Sequence, residues 1–265
     1  MNPDLFRRRL VGFTTVERPR AEIPTAEVAE GVATIRLYDP IDSWGEYWGT
    51  SAKELAKALD QLPADVTEVR LHLNSPGGDV FDGLAILNAL RAHPAKVVAI
   101  VDGLAASAAS FIAAGADEMV MMPNSELMIH DAWGCYCGNA SDMEAMADLL
   151  NHVSDNIASL YAAKAGGDAE TWRDAMRRES WFSADEAVAN GLADRVAEPA
   201  GEPEPKNRFD LSIFQFAGRN AAPAPDLAAA HPEPTAPLPA HAGDHTATSA
   251  VRRWTATQHN KEHQT

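Results

Sequence analysis

The chain has 265 residues, 46% of them apolar, enough for one sizeable core or two small ones. Its formal net charge of -16 argues against the basic surface that a nucleic-acid binder needs. No apolar run approaches the ~20 residues that span a bilayer, and the Leu10–Phe13 patch behind the first arginines is too short for a signal-peptide core, so no membrane partner is expected.

Composition breaks the chain into three parts. Residues 1–30 read as a flexible N-terminal arm. Residues 31–197 are periodic and apolar, as one globular domain should be. Residues 198–265 are rich in Pro, Ala and His and read as mostly disordered, with Phe209–Phe216 (FDLSIFQF) the one stretch apolar enough to dock. Cys135 and Cys137 are too close for an unstrained disulfide and too few for a structural zinc site, so reduced thiols in a cytoplasmic protein are expected. No cofactor or metal is implied.

In chain order, Val32–Leu37 alternates as a first strand, followed by a loop, Tyr38 to Thr50, carrying Asp42, Trp44, Glu46, Tyr47 and Trp48. Ser51 and Glu54 have capping-box spacing for a helix that Pro63 closes. Val69–Leu73 is a second strand ending in Asn74-Ser-Pro-Gly-Gly-Asp79, and Leu84, Leu87 and Leu90 mark a helix stopped before Pro94. Lys96–Val101 is a third strand, apolar enough to be buried on both faces. Asp102-Gly103 is expected to turn the chain into a helix from Leu104 to Ala114. Glu118–Met122 and Leu127–Ile129 are further extended pieces. Ser141 and Glu144 have capping-box spacing for a long helix to about Lys164, Asp168 to Arg178 reads as another helix, and Ser183 with Glu186 caps a short one. Strands alternating with helices predict βαβ units and a mostly parallel sheet.

Three features bear on chemistry. The glycines of Ser75-Pro-Gly-Gly78 let backbone approach a substrate and leave N–H groups to meet an oxyanion, although such a turn is about as often purely structural. Ser107 stands near the start of a helix of small residues, where free N–H groups favour an anionic intermediate; small residues also serve close packing alone. His130 directly follows an extended segment, and a lone histidine is more often structural than a base. Together, a hydroxyl, an imidazole and two sets of backbone donors are what acyl transfer requires.

Asn74-Ser-Pro-Gly-Gly78, Gly103-x-Ala-Ala-Ser107 with Phe111-x-Ala-Ala-Gly-Ala116, Asn124-Ser-x-x-Met-Ile-His130 and Phe182-Ser-Ala-x-Glu-Ala-Val-x-x-Gly-Leu-Ala-Asp194 resemble the Clp peptidase proteolytic subunit from about Val32 to Val196. The resemblance implies a Clp-peptidase/crotonase-like α/β fold and a serine endopeptidase. It implies Ser107 as nucleophile, His130 as general base, and the N–H groups of Gly78 and Ala108 as oxyanion hole. In that family an Asp stands two places ahead of the Phe; here Ser180 occupies the place. Its neighbour Glu179 is the candidate third member, Asp174 the reserve, and a solvated charge in Arg177-Arg178-Glu179 the plain alternative.

Tyr38-Asp-Pro-Ile-Asp-Ser-Trp-Gly45 and Asp79-Val-Phe-Asp-Gly-Leu-Ala-Ile86 resemble the Clp-like head-maturation proteases of tailed phages and prophages. That branch implies capsid and scaffold proteins as substrates. The housekeeping branch implies degradation with an AAA+ unfoldase. Either implies a homo-oligomer of stacked rings, with contacts from the Trp133–Gly138 loop and the helix beyond. Other classes remain: a crotonase-fold acyl-CoA enzyme, a Ser/Lys peptidase using a lysine such as Lys164, or a non-catalytic scaffold.

Overall fold

Apolar strands need cover on both faces, and the sheet they build organises this molecule. The computed structural model describes residues 24–43, 49–198 and 209–227, all within the first of two units, 1–231. The expected N-terminal arm, up to residue 23, the loop aromatics at 44–48 and the tail beyond 227 lie outside the described residues.

Strand β1 (Glu27–Ala29) pairs antiparallel with β2 (Val32–Leu37). From β2 the sheet continues in parallel through β3 (Glu68–Ser75), β4 (Lys96–Ala106), β5 (Glu118–Met121) and β8 (Arg195–Val196). β4 is long enough to serve two neighbours. Val98–Val101 pairs with β5, whereas Leu104–Ala106 pairs with β6 (Glu126–Ile129), which in turn pairs antiparallel with β7 (Ser180–Ser183). The β6–β7 pair therefore branches off the main sheet at the upper half of β4. This is the mostly parallel α/β architecture that the alternation of elements predicts.

Helices α1 (Ala52–Asp60), α2 (Val80–Ala92), α3 (Ala108–Ala114), α4 (Ala140–Ala165), α5 (Ala169–Arg177) and α6 (Ala184–Ala189) complete the fold. Leu55, Ile86, Leu87, Phe111 and Ile112 bury themselves with Leu71, Leu73, Ala99, Val101 and Met121 of the strands in the main core. A smaller cluster forms around the branch: Leu104, Ala106, Met128 and Trp181 with Phe214 and Ala222. Phe209, Leu211, Ile213 and Phe216 pack against it, so the 209–216 segment lies on the β6–β7 side. Among the described residues no helix is long and apolar enough to cross a membrane.

Two elements differ from their sequence reading. Leu104–Ala106 is strand, not helix, because it finds a ladder with β6 and because the Asn74 side chain accepts the Leu104 N–H at 3.1 Å; α3 starts only at Ala108. The long helix is capped by Asn139 with Asp142, rather than Ser141 with Glu144, and begins at Ala140. Both pairs have the required spacing, and the loop's path decides between them. The Ser51/Glu54 and Ser183/Glu186 capping boxes form at the positions read from sequence.

Candidate active site

Ser107 sits where β4 ends and α3 begins, with φ +53° and ψ -122°. A serine at positive φ is strained, and such strain persists only where its surroundings hold it. The Ser107 N–H donates to Met128 O at 2.9 Å, continuing the β4–β6 ladder by one step. Its carbonyl accepts from the Ser110 amide at 3.0 Å and from the Ser110 hydroxyl, which also meets the buried Tyr161 hydroxyl of α4 at 2.7 Å. A sharp strand-to-helix turn of this kind lifts a hydroxyl clear of the backbone.

The Asn74–Asp79 turn presses against that elbow from β3. A Cβ on Gly77, whose φ is +85°, would come within 2.7 Å of both Ser107 Cβ and Ala108 N. Only glycine allows this approach. Gly78 pairs with Ile41 as in a parallel ladder: Ile41 N–H bonds Gly77 O and Asp79 N–H bonds Ile41 O. In that pattern the N–H of Gly78 itself points away from Ile41. Ala108 is the first residue of α3, so its N–H is one of the amides that a helix start leaves open.

β6 carries His130 to the same place. Its Nε2 lies 2.7 Å from Ser107 Oγ. Burial of the ring disfavours the imidazolium and lowers its pKa to about 4, so at neutral pH the ring is neutral and can accept the serine proton. Phe214 stands against it edge to face, with ring centroids 5.6 Å apart. Just beyond, buried Arg173 of α5 donates to Asp131 at 3.0 Å, Asp155 at 3.1 Å and Asn151 at 3.0 Å, and Ala132 N–H bonds the Ser154 hydroxyl at 2.9 Å. These bonds fix the chain leaving His130 to α4 and α5.

Glu179 is not hydrogen-bonded to His130 here. Its carboxylate accepts the Trp181 indole N–H at 3.1 Å and the backbone N–H groups of Gln215 at 2.7 Å and Phe216 at 2.8 Å. Its position is nonetheless at the same end of the β6–β7 pair as His130. Ile129 pairs with Ser180 in the last rung of the antiparallel ladder, and His130 and Glu179 adjoin that rung, Glu179 in a turn at φ +51°. Ser180, at the place of the family's Asp, instead donates to Ala175 O at 2.8 Å. Asp174 is paired with Arg177 at 2.6 Å, and Lys164 with Asp194 at 2.6 Å; neither is bonded to Ser107 or His130.

Sequence reasoning missed Gly77 as the close-approach glycine, the Ser110–Tyr161 support, the Arg173 network and Phe214 as a neighbour of the histidine. The Ser-Pro-Gly-Gly motif carried a signal for the first. The others depend on residues far apart in the chain.

A hydroxyl on a strained elbow with a neutral imidazole within hydrogen-bond reach defines a site of serine-hydrolase class. The model of the Clp protease family matches residues 37–200. The chain is 34% identical over 164 residues to the ATP-dependent Clp protease proteolytic subunit of Leuconostoc citreum, an alignment covering 60% of this chain and 82% of the relative. It is 36% identical over 135 residues to the subunit of the same name from Pleurastrum terricola, covering 50% and 69%. With proteolytic subunit 1 of Leifsonia xyli the figures are 29% over 154 residues, 57% and 78%. The chain belongs to the Clp protease family, and its activity is that of a serine endopeptidase.

Proposed function

We propose that Ser107 is the nucleophile of a Clp-type proteolytic subunit and His130 its general base; the 2.7 Å contact between Oγ and Nε2 is the observation that carries this reading. Oγ attacks the scissile carbonyl carbon as Nε2 takes its proton. The carbonyl oxygen becomes an oxyanion between the N–H groups of Gly78 and Ala108, donors worth ~10²–10³ in rate each in comparable sites. Collapse breaks the C–N bond, the imidazolium hands its proton to the leaving amine, and an acyl ester remains on Ser107. Water, deprotonated by the same imidazole, then releases the second product.

Protein chains are the substrate class. The printed names of the relatives favour work with an ATP-driven partner, and AAA+ unfoldases fit that role. The capsid-maturation reading rests on the Tyr38–Gly45 and Asp79–Ile86 segments and on the Pro/Ala-rich tail. Ring assembly is supported by exposed apolar side chains on the loop after His130 and on α4, namely Trp133, Tyr136, Met143 and Leu149.

The test compares wild type with Ser107→Ala. Each is incubated with an unstructured protein, with and without a Clp ATPase and ATP, and each is co-expressed with capsid and scaffold proteins. Intact mass reads cleavage. ATP-dependent fragments from wild type alone support the degradative reading, and discrete capsid or scaffold products support maturation. Equal masses from wild type and Ser107→Ala in every arm reject the assignment of Ser107.

A further inference from the structure

The segment 209–227 does more than cover a patch of sheet. It is anchored to α6, to β6 and to the end of α5. The Arg219 guanidinium grips Glu186 of α6 with two bonds, at 2.6 and 2.7 Å, and its backbone N–H meets Glu126 of β6 at 3.1 Å. Arg178 donates to Asp226 O at 3.0 Å, and Leu227 is buried in the main core. Between these anchors and Phe209 the chain places Phe214 against both His130 and Trp181, at 5.6 and 6.0 Å between ring centroids. The next two amides, of Gln215 and Phe216, are the ones that hold the Glu179 carboxylate.

Glu179 and His130 flank the last rung of the β6–β7 ladder, Ile129 with Ser180, so both lie at the same end of the pair. A glutamate from that position can reach the ring nitrogen that Ser107 does not use. The carboxylate is instead turned to the seated segment and the Trp181 indole N–H. An imidazole lacking a carboxylate partner is a poor base, since nothing stabilises the imidazolium that forms on attack; in serine-protease triads loss of a correct partner lowers the rate by roughly 10⁴.

We propose that residues 209–227 form an autoinhibitory latch: while seated, they keep the Glu179 carboxylate on their own amides, and their release lets it turn to His130 Nδ1 and complete a Ser107–His130–Glu179 triad. The inference rests on Ser107 and His130 acting as proposed above. An extended protein chain with an aromatic residue and an arginine five places later, the Phe214–Arg219 spacing, is the chemistry that would displace the arm.

The test is the rate at which a fluorophosphonate labels Ser107 in the full chain. Arg219→Ala removes the double ion pair, and Phe214→Ala removes the ring beside His130. Amide exchange across 209–227 reports release of the arm in each. Both variants are expected to exchange faster and to label roughly tenfold faster or more, within the range that aligned general-base catalysis supplies. Adding Glu179→Gln should abolish the gain. The acid limb of the labelling rate should lie higher in the released variants than in the same variants carrying Glu179→Gln, because a carboxylate beside the ring favours its protonated form beyond what solvation alone gives.

Faster exchange with unchanged or slower labelling overturns the latch. So does a gain that survives Glu179→Gln, which would make the arm a plain plug, and so does exchange that stays slow in both variants. If no form of the protein takes label at Ser107, the peptidase-site reading fails instead. Ser107→Ala, measured alongside, separates the two failures.

Discussion

The two halves of the site are built differently. Ser107 and His130 hang from β4 and β6, strands within one ladder, and are braced by Gly77, Ser110 and Tyr161 in the packed interior. Glu179 lies at the open end of the β6–β7 pair, at φ +51°, and its partners are the Trp181 indole and two amides from a segment that reaches the site only after residue 208. The first half is set by the sheet. The second has two sets of partners within reach, and such a place is where control of an enzyme is most easily added.

Substitutions in the rigid half should cost most. Ser107→Ala is expected to lower peptide hydrolysis by about 10⁴-fold or more, and His130→Ala by a similar factor, as when one member of a unit is removed; steady-state cleavage of a fluorogenic peptide measures both. If either loss were under about tenfold, the inner pair would not be the reacting one. Gly77→Ala should follow, with activity down roughly 10²-fold and stability by roughly 2–4 kcal/mol, because the new Cβ meets backbone at a positive φ. Activity assays with thermal melts check it, and a fully active, equally stable variant would show that the two turns are not pressed together.

Arg173→Ala should be milder, about 1–3 kcal/mol by denaturant melts, since it strands a half-buried Asp131 and unties the chain after His130. Smallest is a pH effect. The folded-state pKa of His130 is lowered by burial to about 4, below its unfolded value near 6.5, so the unfolded chain binds the proton first as pH falls. Stability from this group is full above about pH 6.5 and is lost between there and about 4. Melting temperatures of wild type and His130→Ala across that window test the sign: the wild type should lose more as the solution is acidified.

What could be read from sequence follows the range of the interactions. Ser51 with Glu54 and Ser183 with Glu186 are hydrogen-bonded over three residues, so spacing alone places them. The upper half of β4 was not legible, because Leu104–Ala106 becomes strand only by meeting β6 some twenty residues on. β7 was hidden for the same reason: Ser180–Ser183 becomes strand only by lying beside β6. The serine, the histidine and the glycine turn were legible as motifs, but their approach was not. Glu179 is the instructive case. Counting along the chain gave the family's Asp place to Ser180, whereas the structure pairs Ser180 with Ile129 and turns its hydroxyl to Ala175 O, leaving Glu179 beside that rung. The apolar character of 209–216 marked a segment able to dock; that it would lie on the histidine required the fold.

If His130 activates Ser107, mass-mapped fluorophosphonate labelling of the full chain shows it: a single adduct on Ser107 is expected, formed on the order of 10³-fold more slowly in His130→Ala. An adduct elsewhere, none on Ser107 even with the 209–227 arm released, or labelling indifferent to His130→Ala would contradict it.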